Sequence, residues 1–267
     1  VIVGGGPGGY EAALVAHQLG ADVTVVDRDG LGGSAVLTDC VPSKALIATA
    51  NVITAAASSA SLGVRINGQT PDPSLIGVDL GEVNQRIRQL AAAQSADISD
   101  RLAREGIRVV SGRGRLDEAG SVVVTDTAGA EQVLAADVVL LATGARPRVL
   151  PDALPDGDRI LTWEQVYDLP EVPERLIVVG SGVTGAEFAG AYHGLGGQVV
   201  LISSRDHVLP SEDPDAARVV EEVYSRRGLE VLSRSRAVAA RRAGDCVEVT
   251  LSSGDVVTGS IAVMAVG

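Results

Sequence analysis

Two glycine-rich segments of the same spacing constrain the fold of this chain most. Gly4-x-Gly6-x-x-Gly9 follows the apolar run Val1-Ile2-Val3, and Gly180-x-Gly182-x-x-Gly185 follows Leu176-Ile177-Val178-Val179. A helical pattern comes directly after each. Strand, glycine turn and helix in this order are typical of a dinucleotide-binding βαβ unit, whose glycines let the backbone approach a pyrophosphate. The sequence therefore predicts an α/β chain with two tandem Rossmann-like dinucleotide-binding domains, each in three layers.

The second strands of the two units differ in one informative position. Asp27 ends the first, 23 residues after Gly4, and its carboxylate would accept hydrogen bonds from ribose hydroxyls. Ser203 stands at the same distance from Gly180, and Arg205 follows two residues later. Without an acid to repel a 2′-phosphate, and with an arginine to bind one, the second unit favours NADPH over NADH. If Arg205 is instead an ordinary solvated surface residue, NADH remains the alternative cofactor.

The two copies of the repeat have different lengths. The first runs from Gly4 to Gly144 and the second from Gly180 to Gly267. We expect domains at 1–148 and 149–267, with a proline-rich linker between them. The extra residues of the first copy predict a helix over 41–60, a surface crossover over 61–78 and a helix over 79–105. A buried strand that runs into a turn is expected over 137–144, a range that includes Thr143 and Gly144.

Composition narrows the classes of partner and location. A net charge of −12 argues against nucleic acid and anionic membranes, because both would repel the chain. The sequence contains no run of 18 apolar residues, so it predicts no membrane span. The two cysteines, Cys40 and Cys246, are 206 residues apart and form no disulfide framework, and no Cys/His cluster has metal-ligand spacing. We expect a cytoplasmic protein without a metal site.

The stretch Gly32-Gly33-Ser34-Ala35, followed by Cys40-Val41-Pro42-Ser43-Lys44, is distinctive. It resembles the Gly-Gly-x-Cys-x(4)-Cys-x-Pro-x-Lys motif of the flavoprotein disulfide reductases, the family of dihydrolipoyl dehydrogenase and glutathione reductase. One thiol of the redox pair is missing, because Ala35 stands in its place. The resemblance therefore points to a branch of the family that lacks the disulfide.

This resemblance implies a set of cofactor-binding and catalytic residues. FAD is expected in the first domain, at the first glycine motif, Asp27, Gly33, Ser34, Lys44, Thr143 and Gly144. A nicotinamide nucleotide is expected in the second, at the second glycine motif, Val183, Glu187, Ser203, Arg205 and Gly267. The family places Cys40 against the flavin ring and pairs Lys44 with Glu187. Val183 stands where some members carry a tyrosine that covers the flavin.

The resemblance also implies a function. We expect an FAD-dependent enzyme that passes hydride from NAD(P)H to flavin and then to a small quinone-like acceptor. A thiol-disulfide oxidoreductase that uses Cys40 and a non-enzymatic flavin-binding module are the alternatives. Family members continue into a further flavin-binding segment and a dimerisation domain. We therefore expect a homodimer that forms through a domain absent from these 267 residues.

Overall fold

A computed structural model describes residues 1–72 and 75–267, which divide into two compact units. Unit 1 comprises Val1–Pro42 and Arg86–Arg146, and unit 2 comprises Ser43–Gln85 and Pro147–Gly267. The division near residue 147 lies close to the expected boundary, but residues 43–85 group with unit 2. Close packing within unit 2 explains this, since the amide of Asn84 donates to the Leu169 carbonyl at 2.8 Å. The cofactor assigned to each expected domain stays a prediction.

Unit 1 is built on a four-stranded parallel sheet of order β3-β2-β1-β7. Its β-branched central strands are buried on both faces, as a parallel sheet covered by helices requires. A small antiparallel sheet, β4-β5-β6, packs Val122 and Val124 against the valines of β1 and β2. The elements are β1 (Ile2–Val3), α1 (Pro7–Gln18), β2 (Thr24–Asp27), α2 (Gly33–Leu37), β3 (Arg108–Ser111), β4 (Arg113–Leu116), β5 (Val122–Thr125), β6 (Glu131–Leu134) and β7 (Leu140–Leu141).

The expected buried strand within 137–144 is wrong in extent and in burial. Only Leu140 and Leu141 form β7, and these side chains are 40% and 57% exposed. Their strand lies at the edge of the sheet, paired on one side with β1. An apolar run is buried in a sheet only when other elements cover it, and the described residues leave this edge uncovered.

Unit 2 repeats the arrangement with a five-stranded parallel sheet of order β11-β10-β9-β15-β8. An antiparallel sheet, β12-β13-β14, follows, and its two hairpins turn between Ala243 and Cys246 and between Leu251 and Val256. The elements are β8 (Ile160–Thr162), a 3₁₀ helix (Trp163–Asp168), β9 (Arg175–Val179), α5 (Val183–Gly194), β10 (Gln198–Ile202), α6 (Pro214–Arg227), β11 (Glu230–Leu232), β12 (Ala237–Ala243), β13 (Cys246–Leu251), β14 (Val256–Gly259) and β15 (Ile261–Met264).

The extra residues of the first copy are largely helical, as predicted. They form α3 (Cys40–Ser58), a 3₁₀ turn (Ser59–Leu62) and α4 (Leu80–Arg104). Part of the predicted surface crossover, residues 73 and 74, lies outside the described residues. The stretch Gly33–Leu62 is the one described helical segment long and apolar enough to span a membrane by length and composition. Those criteria alone do not establish a span, and its absence stays a prediction.

In each unit, the glycine turn lies at the equivalent end of that unit's own parallel sheet. In unit 1 the Gly4 amide donates to the Val26 carbonyl, and in unit 2 the Gly180 amide donates to the Ile202 carbonyl. Each turn therefore lies at the carboxyl ends of the central parallel strands, where open α/β sheets bind their ligands. The predicted α/β class and the Rossmann-like fold are confirmed.

Candidate cofactor-binding sites

The first glycine turn is shaped by backbone contacts that only glycine allows. Gly4 has a φ of +109°, and a Cβ there would lie 2.2 Å from the Ala142 carbonyl oxygen. A Cβ at Gly9 would lie 1.8 Å from the Gly4 carbonyl oxygen. Because real Cβ atoms do not approach this closely, both glycines are needed to pack α1 onto β1 and β7.

Gly6 differs from these two because space remains in front of it. It precedes α1 in an extended conformation, and a Cβ there would meet only the Gly33 Cα, at 3.7 Å. The cradle in front of the α1 N-terminus is therefore open at Gly6. A phosphate group fits such a position, since helix N-termini carry unpaired N–H groups and a partial positive charge.

Asp27 connects this turn to the segment that follows β2. Its carboxylate accepts hydrogen bonds from the amides of Gly5, at 2.6 Å, and of Asp29 and Gly30, both at 2.9 Å. The Gly32 amide in turn donates to the Gly5 carbonyl at 2.8 Å. Asp27 thus fixes the shape of the predicted ribose site, and the residue itself is partly buried.

The structure brings Gly33, Thr143 and Gly144 close to the first glycine turn. Gly33 packs against Gly6, because a Cβ on Gly33 would lie 2.7 Å from the Gly6 Cα. Ser34 follows it, exposed, in α2. Thr143 and Gly144 come directly after Ala142, which contacts Gly4. Cys40 is exposed, forms no disulfide and begins α3.

The glycine turn of unit 2 reproduces these contacts closely. A Cβ on Gly180 would lie 2.1 Å from the Ala265 carbonyl oxygen, and one on Gly185 would lie 1.9 Å from the Gly180 carbonyl oxygen. At Gly182, before α5, no atom lies within 4 Å of the built Cβ. Unit 2 therefore has the same tight turn and the same open cradle. Gly267 lies two residues after Ala265, as Gly144 does after Ala142.

Ser203 lies where the sequence predicts, but its side chain points into the protein. It is fully buried, and its Oγ lies 2.6 Å from the Ser181 Oγ and accepts from the Arg205 amide at 3.1 Å. In this structure a ribose hydroxyl cannot reach Ser203. The expectation that Ser203 contacts the nucleotide directly is therefore not supported by its geometry, whereas Arg205 is exposed and its contact stays a prediction.

The predicted pair of Lys44 and Glu187 is present, but it is not the cross-domain pair that the resemblance implies, because both residues belong to unit 2. Lys44 Nζ lies 2.6 Å from Glu187 Oε1, and the Lys44 side chain is 58% exposed. An ion pair this exposed stabilises the fold by no more than about 1 kcal/mol, so its chemical value lies in holding a positive charge in place. Val183, in the first turn of α5, is 49% exposed, so the described residues leave it uncovered.

Ser43 holds the Glu187 carboxylate, and Tyr224 holds the backbone of α5 beside it. Ser43 is 2% exposed, and its hydroxyl donates to Glu187 Oε2 at 3.1 Å. The Tyr224 hydroxyl donates to the Ala186 carbonyl at 2.6 Å, and burial, together with the nearby Glu187 carboxylate, raises the pKa of Tyr224 to about 12. The tyrosine therefore stays a neutral donor to the backbone of α5.

Sequence reasoning did not assign a role to Ser43, Ser181 or Tyr224. Ser43 lies next to Lys44, and Ser181 lies between Gly180 and Gly182. Because both serines are part of the two motifs, their hydroxyl groups could have been proposed as hydrogen-bonding groups from the sequence. Tyr224 gives no local signal. Its contact with α5 depends on how α6 packs, and a Cβ on Gly190 would lie only 2.7 Å from its hydroxyl oxygen.

Comparison with known proteins places these features in a family. The model of the pyridine nucleotide-disulphide oxidoreductases matches residues 1–267. An NAD(P)H dehydrogenase (quinone) of Mycobacterium tuberculosis (strain ATCC 25618 / H37Rv) is 48% identical over 276 residues, covering 100% of this chain and 55% of the relative. A dihydrolipoyl dehydrogenase of Bacillus subtilis (strain 168) is 34% identical over 235 residues, covering 88% of this chain and 50% of the relative.

Solved structures agree with the sequence matches. The crystal structure of LpdA from Mycobacterium tuberculosis superposes with a TM-score of 0.91 at 48% identity, covering 100% of this chain and 58% of that one. The flavoprotein disulfide reductase RclA from Escherichia coli has a TM-score of 0.81 at 20% identity, which shows the fold alone. The chain thus spans 55% of the length of the 48%-identical relative. It belongs to the pyridine nucleotide-disulphide oxidoreductase family.

Proposed function

We propose that the protein to which this chain belongs is an FAD-dependent NAD(P)H oxidoreductase that reduces a quinone-like acceptor without a redox disulfide. The family uses FAD and NAD(P)H. The two open cradles at Gly6 and Gly182 support one dinucleotide in each unit, with FAD at the first and the nicotinamide nucleotide at the second. When bound, the cofactors supply the redox chemistry: NAD(P)H is oxidised and a quinone is reduced to a quinol.

One observation carries the choice of acceptor. Ala35 stands where a disulfide reductase has its second active-site thiol, and the sequence offers only Cys40 and Cys246, which are not joined in a disulfide. Exchange with a disulfide substrate through a mixed disulfide needs a second thiol to resolve it. The relative named NAD(P)H dehydrogenase (quinone) supports the same conclusion for this chain.

The roles of individual residues follow from their positions. The amides of the turns at Gly6 and Gly182 bind pyrophosphate groups, Asp27 shapes the first ribose site, and Lys44 holds a positive charge that Glu187 and Ser43 orient. Cys40 is an electron-rich neighbour of the flavin and relays no electrons. A nicotinamide ring can approach because Val183 is small. Cytoplasmic location and assembly as a homodimer also belong to the proposal, and the net charge of −12 supports an aqueous environment.

The test uses full-length protein and two substitutions in the former disulfide position. Menadione reduction by NADPH should persist in Cys40→Ser, although the flavin absorption spectrum should shift. Dihydrolipoamide oxidation should be negligible in the wild type, and Ala35→Cys is the control that restores the second thiol. Loss of menadione reduction in Cys40→Ser, or strong lipoamide activity in the wild type, would favour the thiol-disulfide alternative. A flavin that NADPH does not bleach would favour the non-enzymatic module.

A further inference from the structure

We propose that Arg234 is a second specificity-determining residue, which together with Arg205 binds a phosphate group on the adenosine ribose of the nicotinamide nucleotide. The proposal deepens the proposed function and rests on its placement of that nucleotide in unit 2. Arg205 follows a recognisable motif. Arg234 lies 29 residues further along the chain and carries no local signal.

The sheet register brings the two arginines together. β10 and β11 are parallel neighbours with Ile202 opposite Leu232, so both chains leave the sheet at the same edge. The Arg234 amide donates to the Arg205 carbonyl at 2.9 Å, and the Ser235 amide donates to the Ser203 carbonyl at 2.7 Å. Two exposed guanidinium groups therefore flank the carboxyl ends of adjacent strands, next to the glycine turn that Gly182 leaves open.

The charges of both arginines are available to an anion. Among the described residues, no ion pair of Arg205 is found, and Arg234 approaches a carboxylate only at 4.0 Å, where its Nε faces Asp206 Oδ1. By contrast, Arg241 binds Glu248 at 2.7 Å. The planar guanidinium matches a phosphate in bidentate geometry. In a chain of net charge −12, two weakly paired arginines at a ligand-binding edge mark a site for a small dianion.

The backbone of Arg234 gives independent support. Its φ is +52°, a left-handed conformation that costs a non-glycine residue about 1 kcal/mol. A glycine would form the same turn without this cost. The arginine is therefore better explained by what its side chain binds than by the turn that it makes.

The experiment measures the binding of 2′,5′-ADP and of 5′-AMP to full-length protein by calorimetry. Arg234→Gly removes the guanidinium but keeps, and even eases, the left-handed backbone. It should weaken 2′,5′-ADP binding roughly tenfold or more, the loss expected for one charge-assisted hydrogen-bonded contact, and leave 5′-AMP binding within about twofold. Arg234→Lys should lose less. Arg226→Ala, in the last turn of α6 before the opposite end of β11, should change neither.

Each other outcome has a definite meaning. If Arg234→Gly leaves the ratio of the two affinities unchanged, the role of Arg234 is refuted. If the wild type binds 5′-AMP but does not prefer 2′,5′-ADP, the phosphate subsite is refuted while the nucleotide site stands. If the wild type binds neither, the placement of the nucleotide in unit 2 is wrong and the proposed function fails with it.

Discussion

Glycines 182 and 185 lie three residues apart, yet their replacement by alanine should have opposite consequences. At Gly185, a Cβ would lie 1.9 Å from the Gly180 carbonyl oxygen, about 1.5 Å short of an ordinary contact. The helix would have to move away from β9, although Phe188, Ala189 and Tyr192 on α5 are at most 1% exposed. Overpacking of a core costs about 1–3 kcal/mol, and two backbone atoms that cannot rotate away place Gly185→Ala at the upper end.

At Gly182 the added methyl group meets no protein atom within 4 Å, and the φ of −66° suits alanine. Alanine lowers the conformational entropy of the unfolded chain, which stabilises the fold by about 0.4–1 kcal/mol. Alanine is also a poorer helix cap than glycine, and this loss nearly cancels the gain. The free energy of unfolding of Gly182→Ala should therefore lie within about 0.5 kcal/mol of the wild-type value. Its methyl group fills the cradle in front of α5, so the affinity for nicotinamide nucleotide should fall at least about tenfold.

Urea unfolding followed by circular dichroism, and calorimetric titration with NADPH, separate these two effects in full-length protein. The wild type and Gly196→Ala, whose Cβ also meets no neighbour but has an unfavourable φ of +101°, provide references. Equal loss of stability at positions 182 and 185, or normal NADPH affinity in Gly182→Ala, would contradict the assignment of the open cradle to a phosphate.

Two further predictions concern the support of Glu187. Ser43→Ala removes a buried donor to a charged carboxylate and should lower the free energy of unfolding by about 1–3 kcal/mol in urea titrations, whereas the exposed control Ser225→Ala should have no measurable effect. Tyr224→Phe should cost about 1 kcal/mol at pH 7 because the bond to Ala186 is lost. Because the pKa of Tyr224 is raised to about 12, the unfolded chain releases that proton first, so wild-type stability falls as the pH rises from about 10 to 12. The difference between Tyr224→Phe and wild type should shrink over that range, and a difference that stays constant would show that Tyr224 has an ordinary pKa.

Much of the fold could be predicted because it depends on local signals. The two glycine turns are each determined by a few neighbouring residues, and the structure places both between a strand and a helix, as expected. The pair of Lys44 and Glu187 came from the family resemblance, because no spacing relates residues 143 positions apart.

What the sequence did not reveal depends on packing between distant elements. The burial of β7 depends on what covers a sheet edge, which an apolar run cannot specify. The inward turn of Ser203 depends on Ser181, which offers its hydroxyl a buried partner at 2.6 Å. The position of Arg234 beside Arg205 depends on the register of β10 with β11. Each of these features requires the tertiary structure.

The central claim is that this protein stores no electrons in a disulfide, and an anaerobic titration of full-length protein with NADPH tests it most directly. With Ala35 in place of a thiol, reduction of the flavin should be complete after one equivalent of NADPH per flavin, which corresponds to two electrons. The flavin absorption should then bleach in a single phase, and no new long-wavelength band of a thiolate in charge-transfer contact with oxidised flavin should form during the titration. Uptake of a second equivalent, with that band at the halfway point, would show a dithiol–disulfide pair and contradict the account.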